Sequence, residues 1–406
     1  MLKPAIILSG HTMALGVVRS LGERGVPVVL VHYEERDMAH VSKYVVRAIE
    51  APHPGRCEKE FMELLREISV QFKGGVLIPV SDETLVAVSR NIAELENLYA
   101  VACTGWDVTR KFIDKKFTYS LADAHGIPAP RTLVPASLEE VERYGKTIEF
   151  PCLIKPCQSH LFYQCFGTKM FQVDNPGRMK EVFVQAREHG LEVMLQEYIP
   201  GDDNLVVNYN AYFWDGKPLA EFTARHVRNA PPWFGSPRVV ISQDIPEVLE
   251  PGRKILRALG FSGYACTEFK KDPRNGVFKL MEVNGRHNLS TLLAVRCGIN
   301  FPWLHYRHLA YGDTPGVSDY RKGIYWIDSA RDLGYSAMYF KQEKYSVREY
   351  LRPYFNPHVF AIFDLKDPRP IFKRTSFLFK AGCRETLGHL GLGSNTGQGL
   401  GKIPNH

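Results

Sequence analysis

Short apolar runs and amphipathic stretches alternate along the first hundred residues. Ala5–Leu8 is an apolar run of strand length, Met13–Glu23 spaces its apolar residues as a helix does, and Val26–Val31 is a second apolar run. The pattern predicts a βαβ unit joined by Ser9-Gly10-His11, a backbone turn meeting a helix N-terminus that can bind an anion. Gly10 and Gly16 do not form GxGxxG, and the second run ends in His32-Tyr33 without an acid for a ribose, so a dinucleotide site is not expected. The run Gly75-Val76-Leu77-Ile78-Pro79-Val80-Ser81-Asp82-Glu83 reads as strand, loop, then helix. There Asp82 and Glu83 would stand at the carboxyl end of a parallel sheet, with helix capping by Ser81 and Asp82 as the simpler meaning. Leu98–Ala102 is expected to be the last strand of this first domain.

The next stretch predicts a helix over Val108–His125, stopped by Gly126-Ile127-Pro128-Ala129-Pro130. A helix at Leu138–Tyr144 precedes the apolar strand Phe150–Pro156, which ends in Lys155 and has a hairpin partner in Gly167–Val173. Helix Gly177–His189 leads to strand Glu192–Gln196 and the segment Glu197-Tyr198-Ile199-Pro200-Gly201. Strands at Leu205–Trp214 and Pro218–Arg225 flank an Asp215-Gly216 turn, and His226–Arg238 reads as a loop rich in arginine and aromatics. After a helix at Pro246–Leu259, two more strands, Tyr264–Lys270 and Val277–Asn284, flank Asp272-Pro273-Arg274-Asn275-Gly276, a turn by composition. Beyond them Leu289–Cys297 is helical, residues 320–380 are α+β, and Gly388–His406 has the composition of a disordered tail.

The hairpin carries the chemistry. Folded about Asn275, it sets Glu268 opposite Glu282, and strand alternation places Asn284 on the same face. Directly opposed like charges destabilise a bare hairpin, and a cation between them removes that penalty. Magnesium suits the position because it takes carboxylate oxygens together with substrate phosphates. Alone, a pair of glutamates on a hairpin more often marks a solvated surface.

Bulk properties narrow the setting. The chain has 406 residues, enough for two or three domains, and an ordinary composition of 45% hydrophobic and 23% charged residues. A formal charge of +7 is modest for this length and fits an anionic ligand as easily as a nucleic acid, with no dense basic run beyond short pairs. Eight scattered cysteines lack CxxC or zinc spacing, which points to a reducing, cytoplasmic setting. No apolar run reaches membrane-spanning length, and Ala5–Leu8 is too short for a signal-peptide core.

The order of parts is specific. Lys115 stands eleven residues before Gly126, Lys155 ends an apolar strand, the Glu197–Gly201 hinge follows, and Glu268 and Glu282-x-Asn284-x-Arg286 close the series. Over about residues 1–310 this resembles the ATP-grasp superfamily, and within it the carboxylate–amine ligases related to D-aspartate ligase. The resemblance implies an α/β and α+β chain, with an N-terminal Rossmann-like domain over 1–107 followed by a two-lobed ATP-grasp fold. Its small lobe would span 108–200 and its metal-bearing lobe 201–312, with a C-terminal extension over 313–385 and a tail over 386–406. It further implies ATP and magnesium as cofactors, two ions held by Glu268, Glu282 and Asn284, for which manganese could substitute.

The same resemblance distributes the other roles. Lys115 and Lys155 would meet the phosphates, with Lys116 as the alternative to Lys115. Gln196, Glu197, Tyr198 and Ile199 would face the adenine, and Asp203, or failing it Asp202, the ribose. Arg286 would neutralise charge on the transferred phosphoryl group. The stretch 157–169 lacks the glycine-rich character many superfamily members show there; its closing Lys169 becomes a phosphate candidate, and Cys157 and Cys165 are bystanders. Arg225, Arg228 and Arg238 suit forked recognition of a carboxylate, with Arg228 also catalytic, and Asn288 and Ser290 would line the acceptor pocket unless they only cap a helix. The implied activity is amide formation from a carboxylate and an amine through an acyl phosphate, with no nucleic-acid or membrane partner and oligomeric state open, a homodimer included. Two alternatives stand beside it: a bicarbonate-activating carboxylase or carbamoyl-phosphate-type enzyme, and a nucleotide-binding regulator without turnover.

Overall fold

The computed structural model of the chain describes residues 2–377 except 158–161, 163, 164, 169, 234, 315, 317, 318 and 344. By its internal contacts the chain divides into two units. One comprises Met1–Ala129 and Ile199–Lys373; the other is Pro130–Tyr198 with the residues from Arg374 onward.

In the first unit, β1 (Ala5–Leu8), β2 (Val28–His32), β3 (Val45–Glu50), β4 (Val76–Pro79) and β5 (Ala100–Val101) form an all-parallel sheet in the order β3-β2-β1-β4-β5. Its central strands are buried on both faces, as parallel strands covered by helices must be. Ser81 caps the helix Asp82–Arg90 by accepting from the Thr84 amide, so capping belongs to Ser81 and Asp82 is left for another task. The single helix expected over Val108–His125 is two, Trp106–Ile113 and Lys115–Ala124. They part at Asp114, whose extended backbone ends the first and whose side chain accepts from the Lys116 amide to start the second.

The same unit holds a second sheet. Its strands are β10 (Val206–Trp214), β11 (Lys217–Ala230), β12 (Ser236–Ser242), β13 (Gly263–Lys271), β14 (Phe278–Asn284), β15 (Tyr325–Ile327) and β16 (His358–Phe360). They lie in the order β14-β13-β10-β11-β12-β15-β16, antiparallel except for the last pair. The expected loop His226–Arg238 is therefore mostly strand, with β11 running on to Ala230 and β12 starting at Ser236. Its charged residues disguised it, because arginines are seldom buried without a partner and the partner lies far along the chain. Within the expected C-terminal extension, β15 and β16 continue this sheet beyond β12.

One face of β10 and β13 bears Val207, Tyr209, Ala211, Phe213, Ala265 and Phe269, packed into a core with the helix Leu249–Leu259. The opposite face is apolar at Tyr212 and Tyr264, where it joins the core with Leu292 and Phe301. It turns polar at Asn210, Asn208 and Glu268, so the candidate donors stand where that apolar face runs out.

The β13–β14 turn is braced by Asp272. Its amide donates to the Val277 carbonyl at 2.8 Å, and its carbonyl accepts from the Gly276 amide at 2.7 Å. Gly276 sits at φ +76°, a left-handed conformation that costs a glycine little. The buried Asp272 carboxylate accepts from Arg274 Nε at 2.8 Å and from the Arg274 amide at 3.0 Å, and lies 3.1 Å from Lys279 Nζ. Arg274 first, then Lys279, hold this carboxyl well below the usual range against the cost of burial. A depressed carboxyl contributes stability above its unfolded pKa of about 3.9 and loses it as pH falls through the folded value. Asp272→Asn is expected to cost about 1–3 kcal/mol at pH 7. In urea melts across pH, the gap from wild type should begin to narrow below about pH 4 and close only as pH falls through the depressed folded value; a gap that does not narrow at all as pH falls would show that charge is not what the turn uses.

In the second unit, β6 (Thr132–Leu133), β7 (Cys152–Pro156), β8 (Phe171–Val173) and β9 (Val193–Glu197) form an antiparallel sheet in the order β6-β9-β7-β8. The helices Leu138–Gly145 and Pro176–Glu188 supply Val141, Met179, Val182 and Phe183 to its core.

Candidate functional site

Glu268 pairs with Glu282 in the register of β13 and β14, and Cys266 pairs with Asn284. The route to that register includes one step the sequence did not show. Lys271 pairs with Phe278, so the turn is centred half a residue before Asn275, and unbroken pairing would set Glu268 against Met281. A bulge between Glu268 and Phe269 takes up one residue of β14 and restores the Glu268–Glu282 pair. Without it Glu282 would join Leu280 on the opposite face, since a one-residue slip reverses every side chain.

The helix Lys115–Ala124 fastens this bulge. Tyr119 donates its hydroxyl to the Met281 carbonyl at 2.7 Å. Lys115, one turn earlier on the same helical face, places Nζ 3.0 Å from Glu282 Oε1. Glu282 is the main cause that raises the lysine's pKa, against partial burial, so its charge is secure. Lys116 instead lies 3.5 Å from Asp114, which separates the two lysines that spacing alone left as alternatives. Gly285, just past Asn284, has no room for a side chain: a Cβ there would lie 2.5 Å from the Phe112 ring.

Arg286 is nearly buried and clamped by Asp82, with Nε at 2.6 Å and Nη2 at 3.0 Å from the two carboxylate oxygens. Burial opposes the charge, but Asp82 and then Glu282 raise the pKa above the ordinary arginine value. Its Nη1 also lies 3.3 Å from Met13 Sδ at the start of the first helix. The carboxyl ends of β1 and β4 therefore meet the segment that follows β14. Asn288 donates to Asn210 Oδ1 at 2.9 Å and lies 3.2 Å from Cys266 Sγ, whose thiol burial pushes up to about 12. Ser290 precedes the helix Thr291–Cys297 but makes no side-chain cap bond; its Oγ is 3.5 Å from Asn288 Oδ1.

Four expected residues have other tasks. Arg228 and Arg238 are both 0% exposed. Arg228 gives Nε and Nη2 to the two oxygens of Asp332 at 2.8 Å each, and Arg238 lies 3.1 Å from Asp332 and pairs with Glu343. An internal carboxylate thus occupies the forks meant for a ligand's. Arg225 pairs with Val207, which pairs with Phe269, and so projects from the face opposite Glu268; its Nε donates to Gln243 at 2.8 Å. Asp203 is buried and accepts from the Asn229 amide and the Trp233 amide at 2.8 Å each. It braces the β11–β12 connection, while Asp202 beside it is exposed.

Sequence reasoning passed over Lys270 and Asn208. Lys270 shares a face with Glu268, is buried, and donates to the Gly201 carbonyl at 3.0 Å. Burial lowers its pKa. Asn208 is the register partner of Glu268 on β10. The alternation in Val206-Val207-Asn208-Tyr209-Asn210 was the available signal for the asparagine.

In the second unit, Lys155 pairs in register with Met194 at the end of the apolar β7. Gln196 is buried and donates to Thr132 Oγ1 at 2.8 Å, while its Oε1 is sealed with no hydrogen-bond partner among the described residues. Glu197 accepts from the Arg131 amide at 3.1 Å, and its own amide donates to the Arg131 carbonyl at 2.9 Å. Tyr198 ends the Pro130–Tyr198 segment of this unit; Ile199, the first residue back in the other, is buried. Lys169 lies outside the described residues.

The donor chemistry fits magnesium: two carboxylates and an amide on one strand face, with two cations nearby suited to phosphate oxygens. Among the described residues, no helix is long and apolar enough to cross a membrane.

No family model matches the chain. A D-aspartate ligase of Enterococcus faecium (strain Aus0004) is 24% identical over 244 residues, covering 55% of this chain and 56% of that protein. The match thus spans little more than half of that relative's length. The crystal structure of an L-amino acid ligase from Bacillus licheniformis aligns with a TM-score of 0.59 at 18% identity, over 76% of this chain and 74% of that one. The biotin carboxylase domain dimer of Hydrogenobacter thermophilus 2-oxoglutarate carboxylase, in complex with MgADP, ADP and bicarbonate, aligns at 0.60 with 17% identity, over 79% and 73%. The chain has the ATP-grasp fold, and in sequence it is similar to D-aspartate ligase.

Proposed function

We propose that the chain is an ATP-dependent ligase joining a carboxylate to an amine through an acyl phosphate. The observation that carries this reading is the opposed Glu268–Glu282 pair with Lys115 3.0 Å from Glu282. A carboxylate oxygen attacks the γ-phosphorus of ATP and ADP departs. The amine nitrogen then attacks the acyl carbon, phosphate leaves, and the nitrogen gives up a proton to form the amide.

Glu268, Glu282 and Asn284 would hold magnesium, two ions on this reading; bound there, the metal would neutralise charge on the phosphate oxygens. Lys115 and Arg286 stand ready to meet that charge. Lys155 is assigned to the phosphates and Gln196–Ile199 to the adenine, with main chain supplying the recognition. The ribose role falls to Asp202, since Asp203 is engaged with its own chain. Asn288 and Ser290 remain candidates for the acceptor wall.

Asp82 then acts through Arg286, as a positioning residue. Asp82→Asn is expected to lower kcat about ten- to a hundredfold, as loss of an orienting partner does. Its melting temperature should change little, because Asp82 is more than half exposed and such pairs contribute under about 1 kcal/mol. Unchanged kcat would mean that Arg286 needs no clamp.

The test of the function is ADP release from ATP and magnesium across a matrix of carboxylates and amines, with product masses read afterwards. A ligase requires both substrates. Turnover that depends on bicarbonate would move the chain to the second reading, which the likeness to the biotin carboxylase domain supports. Nucleotide binding without turnover under any substrate pair would favour a regulator.

A further inference from the structure

The row that carries Glu282 and Glu268 continues onto β10. The next position is Asn208, paired in register with Glu268, so its side chain leaves the sheet on the same face. Residues opposed in this way have Cβ atoms about 4.5–5.5 Å apart. Asn208 is 3% exposed, and its Oδ1 is sealed from solvent with no hydrogen-bond partner among the described residues. Native folds rarely leave a buried amide oxygen unpaired. Asn210, one step along the same face, shows the usual solution: its Oδ1 accepts from the Tyr264 hydroxyl at 2.8 Å and from Asn288 Nδ2 at 2.9 Å. The sheet thus satisfies one asparagine fully and leaves its neighbour's oxygen unused, beside two carboxylates.

We propose that Asn208 belongs to the cation site, its amide oxygen being a further ligand to a divalent cation held by Glu268 and Glu282. The proposal rests on the reading of those two glutamates as metal ligands. Carboxylates and asparagine carbonyls are the oxygen donors that hard divalent cations take from proteins. A neutral donor adds coordination without adding a third negative charge to a row that already has two. Phosphate oxygens can then approach the same ion with less repulsion.

The test uses the full-length protein with Mn2+ and ADP as probes. Mn2+ binding is followed by electron paramagnetic resonance in wild type, Asn208→Leu, Asn208→Asp and Glu282→Gln, and each is melted in EDTA. Asn208→Leu is expected to weaken Mn2+ binding about ten- to a hundredfold. Asn208→Asp, which keeps an oxygen in place, should bind at least as tightly as wild type. In EDTA the leucine variant should melt no lower than wild type, since it keeps the volume and removes the unpaired acceptor. Wild-type Mn2+ affinity in Asn208→Leu, or a lowered melting temperature in EDTA with weak binding in both variants, would overturn the proposal and leave Asn208 a structural residue. If Glu282→Gln binds Mn2+ like wild type, the cation site itself is misassigned and Asn208's role falls with it.

Discussion

Glu282→Gln is expected to lower substrate-dependent ADP release by at least about 10²–10³-fold, the scale on which loss of one preorganised charge-stabilising group acts. The change preserves shape and keeps a hydrogen-bonding oxygen, so the loss would report charge. Two opposing effects act on stability. The substitution relieves the like-charge opposition with Glu268 and removes the partner of Lys115. Both groups are partly exposed, so the net change in melting temperature should be small. The measurement is ADP release at saturating ATP over a magnesium titration, beside a thermal melt. Retained turnover in a folded variant would remove Glu282 from the metal site, and with it the ground for assigning phosphoryl transfer to this face.

Asp332→Ala is expected to destabilise the first unit by about 3–5 kcal/mol, the cost of breaking a buried ion pair from one side. Asp332 is fully buried and serves Arg228, Arg238 and the Tyr354 hydroxyl at once. Arg228 also stacks over Tyr350, 4.5 Å from the ring centroid, so it has no short path to water. Glu343 still neutralises Arg238 in the variant, which leaves Arg228 as the uncompensated charge. Urea unfolding should show a lower midpoint with an unchanged slope. A cost under about 1 kcal/mol would show that the arginines find other partners or solvent.

What the sequence made legible divides by distance along the chain. The Glu268–Glu282 opposition could be read because a turn of recognisable composition separates the two strands, leaving one local degree of freedom. Even there the half-residue offset of the turn and the bulge at Met281 cancel each other, so a simple folding rule reached the right pair by a shorter route. Lys115 was singled out by its spacing from a proline-rich stop; the break at Asp114, a capping detail two residues wide, is what sets Lys115 beside Glu282 and Lys116 beside Asp114. Arg228 and Arg238 were misread because their partner lies about a hundred residues on, and an arginine without a visible partner reads as surface. Arg225 failed for a different reason: only strand parity across β10 and β11 shows that it leaves the sheet on the wrong side. For Asn208, alternation with Tyr209 and Asn210 marks the face it shares with Asn210, but nothing local shows that Glu268 lies across the ladder.

The recognisable motifs stop near residue 310, yet the chain beyond them reaches back to its own beginning. Arg19 in the first helix is buried and gives Nε to Asp367 at 3.0 Å and Nη2 to the Ile362 carbonyl at 2.8 Å. Asp367 also receives Ser42 Oγ at 2.8 Å and the Lys43 amide at 2.9 Å. Together with β15 against β12, these contacts make the first and last described segments of this unit parts of one structure. Cutting at the end of the motifs would bare an edge strand and strand three buried guanidinium groups in one stroke. Limited proteolysis should therefore leave a resistant fragment that runs past Asp367, and the parallel sheet should melt together with the sheet that carries the glutamates.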